Sequence, residues 1–318
     1  MKIVERRPSA GSFRTDVSNV TDLREVMPGV LAKFECNNPA GSHKVRAARY
    51  IVESAIKAGD IVPGKTTVIE KTGGNFGFGL AVACHPLGVD VELAVGLSFS
   101  QVKRRCLELF GAHLIGVDML HQGSTPRHVV EWHIEHAAQL GRSYFYTDQF
   151  HNQAGVTAHE FETGPEIVFQ LAAWPQVRKL TFVACAGTGA SLTGIARALI
   201  SAGYEVHTVL VEPAGCDSRS GVFVDHRLEG MSVGVAPPFL DWSLIHETRT
   251  VTYEDAIAAQ QAFVKRTGFF IGNTTAACLA VAGTVAAALP AHHKVLTIMY
   301  DHGLWYVSGA PAPPDSST

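Results

Sequence analysis

Lys44 stands directly after the turn Pro39-Ala-Gly-Ser-His43 and opens a stretch, KVRAARYIVESAIKAGD, that reads as a helix. A solvated lysine is unfavourable there, because the helix N-terminus already carries partial positive charge. A lysine that faces a pocket instead offers its amine as a nucleophile or a Schiff-base partner. Spacing alone leaves both readings open.

Three other turns carry groups that could serve such an amine. CAGTGASLTG follows the strand-like KLTFVA and opens a helix. Gly187 and Gly189 let the backbone approach a ligand, and the N–H groups of a helix start bind anions. Thr188 and Ser191 add hydroxyls. No GKS or GKT lysine is present and the full GxGxxG spacing is missing, so a monophosphate is the best guest. EKTGGNFGFG offers the Asn75 amide, with Thr72, Gly73 and Gly74 as donors for a carboxylate. GNTTAA places the hydroxyls of Thr274 and Thr275 where a late helix begins, open to a ligand or serving as plain N-caps. An amine, a phosphate cup, an amide donor and hydroxyls together form a complete set for pyridoxal 5′-phosphate (PLP).

The elements that must position these turns alternate in kind. KTTVIEKTGG, VDVELAVGL, AHLIGVD, RKLTFVACAGTG, YEVHTVLVEP and HKVLTIMYDHG read as strands. NFGFGLAVACHPLG, ending at Gly88, SFSQVKRRCLELFG, ASLTGIARALISAG and TYEDAIAAQQAFVKRTG read as helices. Ser98 or Ser100 could cap the second of these, with Gly111 closing it, and Gly268 follows the last turn of the fourth. Strand-turn-helix units in series predict an α/β fold with mainly parallel sheets, its site at the carboxyl ends of the strands. The tail GAPAPPDSST is expected to be disordered.

With 318 residues, 47% hydrophobic and 17% charged, the chain suits a globular enzyme of roughly two domains. A net charge of −3 gives no electrostatic case for nucleic acid. The first 16 residues have no apolar secretory region, and no apolar run is long enough for a membrane. The six cysteines form no CxxC pair and read as reduced thiols of a cytoplasmic protein. His133 and His136 lie three apart, and His292 adjoins His293, yet neither pair repeats a known metal motif, so no metal is expected.

With these motifs in place, the chain resembles the fold type II PLP enzymes: the cysteine synthase, cystathionine β-synthase and tryptophan synthase β family. NPAGSHKVRAA is similar to the family's lysine segment, KTGGNFGFGLA to its asparagine loop, DQFHNQAG to its QFxNPAN segment and GTGASLTGIARAL to its phosphate loop. The Glu212-Pro213 pair, LEGMSVGVAPPFLD, IGNTTAACLAVA and YDHGLWYVS follow in the family's order, so the likeness spans roughly residues 20–308. It implies a two-domain, three-layer fold and a homodimer. Residues 48–147 would form a smaller mobile domain, and 1–47 with 148–318 a larger cofactor domain. Lys44 would be the Schiff-base lysine and proton shuttle at Cα, and Asn75 would bond the 3′-oxygen of the ring. Gly187, Thr188, Gly189, Ala190 and Ser191 would hold the phosphate, and Thr274, or adjacent Thr275, would face the ring nitrogen. Thr72, Gly73, Gly74, Phe76 and Gln149 would bind the substrate.

The resemblance implies β-replacement on a serine-type amino acid, by way of an external aldimine and an aminoacrylate. The alternative is elimination, dehydration or racemisation of serine- or threonine-type substrates, and the third reading is a relative without turnover. QFHN favours the first. The family's loop serine is Gly73 here, the threonine after the asparagine is Phe76, His43 precedes the lysine and Val45 replaces an aspartate. Two hydroxyl donors are thereby lost, so a larger or unusual partner is expected in place of O-acetylserine and sulfide.

Overall fold

The computed structural model describes residues 20–290 and 292–309. The proline-rich tail and the first 16 residues discussed above lie outside the described residues, save Gly309. The chain divides into two compact units, Val52–Thr147 forming one and Thr21–Ile51 with the chain from Asp148 onward forming the other.

The second unit is built on a six-stranded sheet. Its strands are β1 (Leu23–Met27), β2 (Val30–Lys33), β7 (Lys179–Cys185), β8 (Glu205–Pro213), β9 (Glu247–Val251) and β10 (His293–Ile298), in the order β1-β2-β10-β7-β8-β9. Only the β1–β2 pair is antiparallel. β7 is buried along all but its first residue, which is why KLTFVAC reads as a continuous apolar run without alternation. This unit also holds the start of α1 (Lys44–Ala58), with α6 (Ala154–Ala158), α7 (Gly164–Gln170), α8 (Ala190–Ser201), α9 (Tyr253–Thr267) and α10 (Asn273–Ala286). Five residues of π-helix, His159–Thr163, join α6 to α7. Phe182, Val209, Leu192, Ile195, Ala277 and Leu296 lie in its continuous core.

The first unit carries a four-stranded parallel sheet. Its strands are β3 (Thr66–Glu70), β4 (Asp90–Leu93), β5 (His113–Leu114) and β6 (Ser143–Tyr146), in the order β5-β4-β3-β6. Its helices are α2 (Asn75–Cys84), α3 (Gln101–Leu109), α4 (Val117–His121) and α5 (Pro126–Glu135). Ser100 is the cap of α3, accepting from the Lys103 N–H at 3.3 Å. α2 stops at Cys84, and a 3-10 turn carries the chain on to Gly88. Only His113 and Leu114 of AHLIGVD pair as strand, because Gly116 turns left-handed into α4.

No described helix is long and apolar enough to cross a membrane. Among the described residues no group of three or more His, Cys, Asp or Glu could hold a metal ion. His133 and His136 bind carbonyls one turn back in the chain, through Nδ1 to Val129 at 2.7 Å and to Trp132 at 2.8 Å.

Candidate active site

The approach to Lys44 is a strained turn. Ala40 and Gly41 both take left-handed backbone angles, φ 62° and 68°, and for alanine that conformation costs roughly 1–2 kcal/mol. The turn is held from outside. Ser42 bridges to Asp301, and the His43 N–H donates to the Tyr300 carbonyl at 3.0 Å. Lys44 is then the first residue of α1, half-buried. Desolvation pushes its amine down to about 8, against a smaller upward pull from Cys185. Its two predecessors each carry a buried polar atom without a hydrogen-bond partner, Ser42 Oγ and His43 Nδ1. His43 faces a second buried imidazole, His159, at 6.0 Å between ring centroids. Burial, with a smaller contribution from Lys44, holds His43 well below the usual range. Burial likewise lowers His159 to about 3, so both rings are neutral at physiological pH.

β7 ends at Cys185, and residues 186–189 lead into α8. Gly189 is the N-cap, with φ 87°, and as a glycine it offers no capping side chain. The Ala190 N–H reaches only the Thr188 hydroxyl, at 3.3 Å. Thr188 and Ser191 are buried. Of the helices remote from the four turns, α3, α5 and α9 are capped by Ser100, Thr125 and Thr252, whereas the five-residue helices α4 and α6 have no capping side chain. A twelve-residue helix whose buried first turn lacks a side-chain cap has N–H groups to offer an anion. These donors, with two hydroxyls and a desolvated amine, fit the phosphate and aldehyde of PLP. The glycines answer to the protein as well as to a ligand. A Cβ at Gly189 would lie 2.5 Å from the Leu240 nitrogen, and one at Gly187 2.9 Å from the Gly230 oxygen.

Residues 230–240 wrap this loop. Ser232 N–H donates to Ala186 O and Phe239 N–H to Thr188 O, both at 3.0 Å. A Cβ at Gly230 would stand 3.3 Å from Thr274 Cγ2, which brings the start of α10 to the same place. α10 also begins without a side-chain cap, so neither threonine serves as the N-cap. Thr275 accepts the Tyr300 N–H at 2.9 Å and is fully buried, while Thr274 retains 6% exposure. The lysine helix joins the assembly through Gly155, where a Cβ would be 4.0 Å from both Ala47 and Ala190. Lys44, residues 187–191 and Thr274 thus belong to one unit. Gln149 belongs to it too and is half-buried.

Thr72, Gly73, Gly74, Asn75 and Phe76 lie in the other unit. Asn75 opens α2 behind Gly74, and Thr72 and Asn75 are half-buried. At Gly73 a Cβ would fall 2.6 Å from Val95 Cγ1 and 2.8 Å from the Phe99 ring. The position that carries serine in the resembling family is therefore filled from the side. Phe76 is only 3% exposed, so its ring packs inside the protein and opens no apolar face to solvent.

Two features behind Lys44 escaped sequence reasoning. The first is a buried ion cluster. Arg46 donates through Nε and Nη2 to both oxygens of Glu35, at 2.7 and 2.8 Å, and through Nη1 to Glu166 at 2.8 Å. Lys33 joins Glu166 on the same side. Burial alone would raise the Glu35 carboxyl, but the Arg46 charge and hydrogen bonds overcome it and hold the group below its usual range. The second is Tyr300. No local signal marked either; four charged residues, spread from Lys33 to Glu166, meet only in the fold.

A family model described as pyridoxal-phosphate dependent enzyme matches residues 14–301. Cysteine synthase of Staphylococcus aureus (strain N315) is 30% identical over 297 residues, covering 91% of this chain and 92% of the relative. The O-acetylserine dependent cystathionine beta-synthase of Bacillus subtilis (strain 168) is 30% identical over 286 residues, 88% of each. Among solved structures, O-ureido-L-serine synthase superposes with a TM-score of 0.82 at 28% identity, over 97% of this chain and 98% of that one.

Proposed function

The chain belongs to the pyridoxal-phosphate dependent enzymes, and from that premise we propose that it catalyses β-replacement on an activated serine, with a donor or acceptor other than plain O-acetylserine and sulfide. The observation that carries the reading is the desolvated amine of Lys44 in the same unit as the uncapped, buried start of α8. Relatives named for cysteine synthesis and O-acetylserine dependent cystathionine synthesis support the reaction class.

PLP bound here supplies an electron sink for negative charge at the Cα of an amino acid. The N–H groups at the start of α8, with Thr188 and Ser191, would hold its phosphate. The Thr274 hydroxyl would face its ring nitrogen, and Asn75 its 3′-oxygen. Lys44 would take the proton from Cα and return it after the new β-substituent is in place. Thr72, Gly73, Gly74 and Gln149 would hold the substrate carboxylate, the glycines through backbone N–H groups. A cytoplasmic homodimer completes the reading, on the six free thiols and the family resemblance.

The purified protein with PLP should show a visible absorption band, and borohydride should fix the cofactor on Lys44. A label on Lys71 would overturn the assignment. Activated serines offered with sulfide, amines and bulky thiols should give β-substituted alanines. Release of keto acid irrespective of acceptor would replace this reading with elimination, and efficient cysteine formation from O-acetylserine and sulfide would remove the unusual partner.

A further inference from the structure

Tyr300 follows β10 and is 3% exposed. Three bonds leave it, and each ends on a different segment of the site. Its carbonyl accepts the His43 N–H at 3.0 Å, next to Lys44. Its phenol oxygen accepts the Cys185 N–H at 3.2 Å, at the entrance to the 187–191 loop. Its own N–H donates to Thr275 Oγ1 at 2.9 Å, beside Thr274. The ring stands edge-on to the His43 imidazole, 5.0 Å between centroids.

The phenol link has a reason in the sheet. The pairing of β10 with β7 stops at Leu296–Phe182, so β10 offers no ladder carbonyl to Cys185. A buried N–H left without an acceptor is costly. The tyrosine side chain reaches back and supplies one. Burial keeps the phenol protonated, so it acts as a neutral group. Neighbouring residues reinforce the backbone part: the Met299 carbonyl accepts the Cys36 N–H at 2.8 Å and the Asp301 carbonyl accepts the Gly272 N–H at 3.0 Å.

We propose that Tyr300 is a positioning residue, whose phenol oxygen sets the end of β7, and with it the phosphate-holding loop, relative to Lys44 and the start of α10. The proposal rests on the PLP reading above. It concerns a residue that touches neither substrate nor cofactor in that reading and acts through Cys185.

The test compares Tyr300→Phe with Thr297→Val. Thr297 lies on β10 and donates its own buried bond, to the Val183 carbonyl at 2.8 Å. Both substitutions lose one buried hydrogen bond to β7, from β10 at Thr297 and from just past its end at Tyr300, but only the Tyr300 bond reaches the loop. Equilibrium dialysis gives PLP affinity, and the 31P resonance of the bound cofactor reports the phosphate surroundings. Tyr300→Phe should weaken PLP binding about tenfold and move the 31P resonance, because the freed N–H displaces the loop. Thr297→Val should lose stability to urea while leaving both readouts in place. Affinity within twofold of the parent and an unmoved resonance in Tyr300→Phe would overturn the proposal, and so would equal changes in the two variants. Should Tyr300→Phe not fold, Thr275→Val cuts the link through the Tyr300 amide, and the 31P resonance then decides alone, being read at the phosphate and away from the ring. If the parent protein takes up no PLP, the functional reading itself fails, which is distinct from either result.

Discussion

Lys44 is desolvated, and it also stands at a helix start, where the aligned peptide dipoles disfavour positive charge. Both effects favour the free amine, which is the form that attacks an aldehyde. With its amine at about 8, the rate at which apoprotein captures PLP should rise about tenfold per pH unit below 8 and level off above it. Stopped-flow absorbance between pH 6.5 and 9.5, referenced to N-acetyl-lysine ester chemistry under the same conditions, measures this. A rate still climbing tenfold per unit beyond pH 9 would mean an ordinary solvated lysine. The buried histidines contribute no inflection to that profile, since both are held neutral by burial. Gly73 answers to sterics at the same scale. A serine there would press on Val95 and Phe99, so Gly73→Ser should cost roughly 1–3 kcal/mol of stability to urea. Adding Phe99→Ala should recover part of the loss. A Gly73→Ser protein as stable as the parent would show that the loop yields.

Among the elements, α1 depends on what lies behind it. Arg46, two residues past Lys44, turns away from the site into Glu35 and Glu166. Removing one partner of a buried pair strands the other charge, so Arg46→Leu should cost about 3–5 kcal/mol in urea unfolding. Arg46→Lys should recover little, because an ammonium cannot match two carboxylates with a planar fork. A loss under 1 kcal/mol would show that Lys33 alone neutralises the cluster. The strand-turn-helix order was legible because each turn carries glycine or a hydroxyl at the point where the chain changes direction. The β1–β2 hairpin was not read, although Pro28-Gly29 marks its turn, with Gly29 at φ 78°. The π-helical segment was invisible for another reason. It lies where α6 and α7 run closely against α8: a Cβ at Gly194 would meet the Val156 oxygen at 2.7 Å, and one at Gly164 the Ala198 Cβ at 2.2 Å. Contacts between distant residues leave no periodic trace. Lys44 and the 187–191 loop were readable as local motifs, whereas Tyr300 acquires its meaning from three partners far away in the chain.

For the molecule as a whole, the division into two units makes ligand binding locally testable. Lys44, residues 187–191 and Thr274 belong to one unit, with its own core around β7, β8 and β10. The other unit has a separate cluster of Ile69, Ala94, Leu120, Val129 and Val130. A ligand at 100 times its dissociation constant stabilises the state that binds it by about 2.7 kcal/mol. Amide exchange in the first turns of α8 and α10 should therefore slow by up to about a hundredfold on adding PLP. These turns gain most because their N-cap residues, Gly189 and Gly272, have no side chain to cap them, and their N–H groups acquire partners directly. α5, capped by Thr125 and packed through Val129 and Val130 on the other unit's cluster, should change far less. Hydrogen exchange followed by mass spectrometry, with and without PLP, resolves both regions. Equal protection of α5 and α8 would mean that the two units respond as one cooperative body, and no protection at α8 would remove the phosphate from that helix.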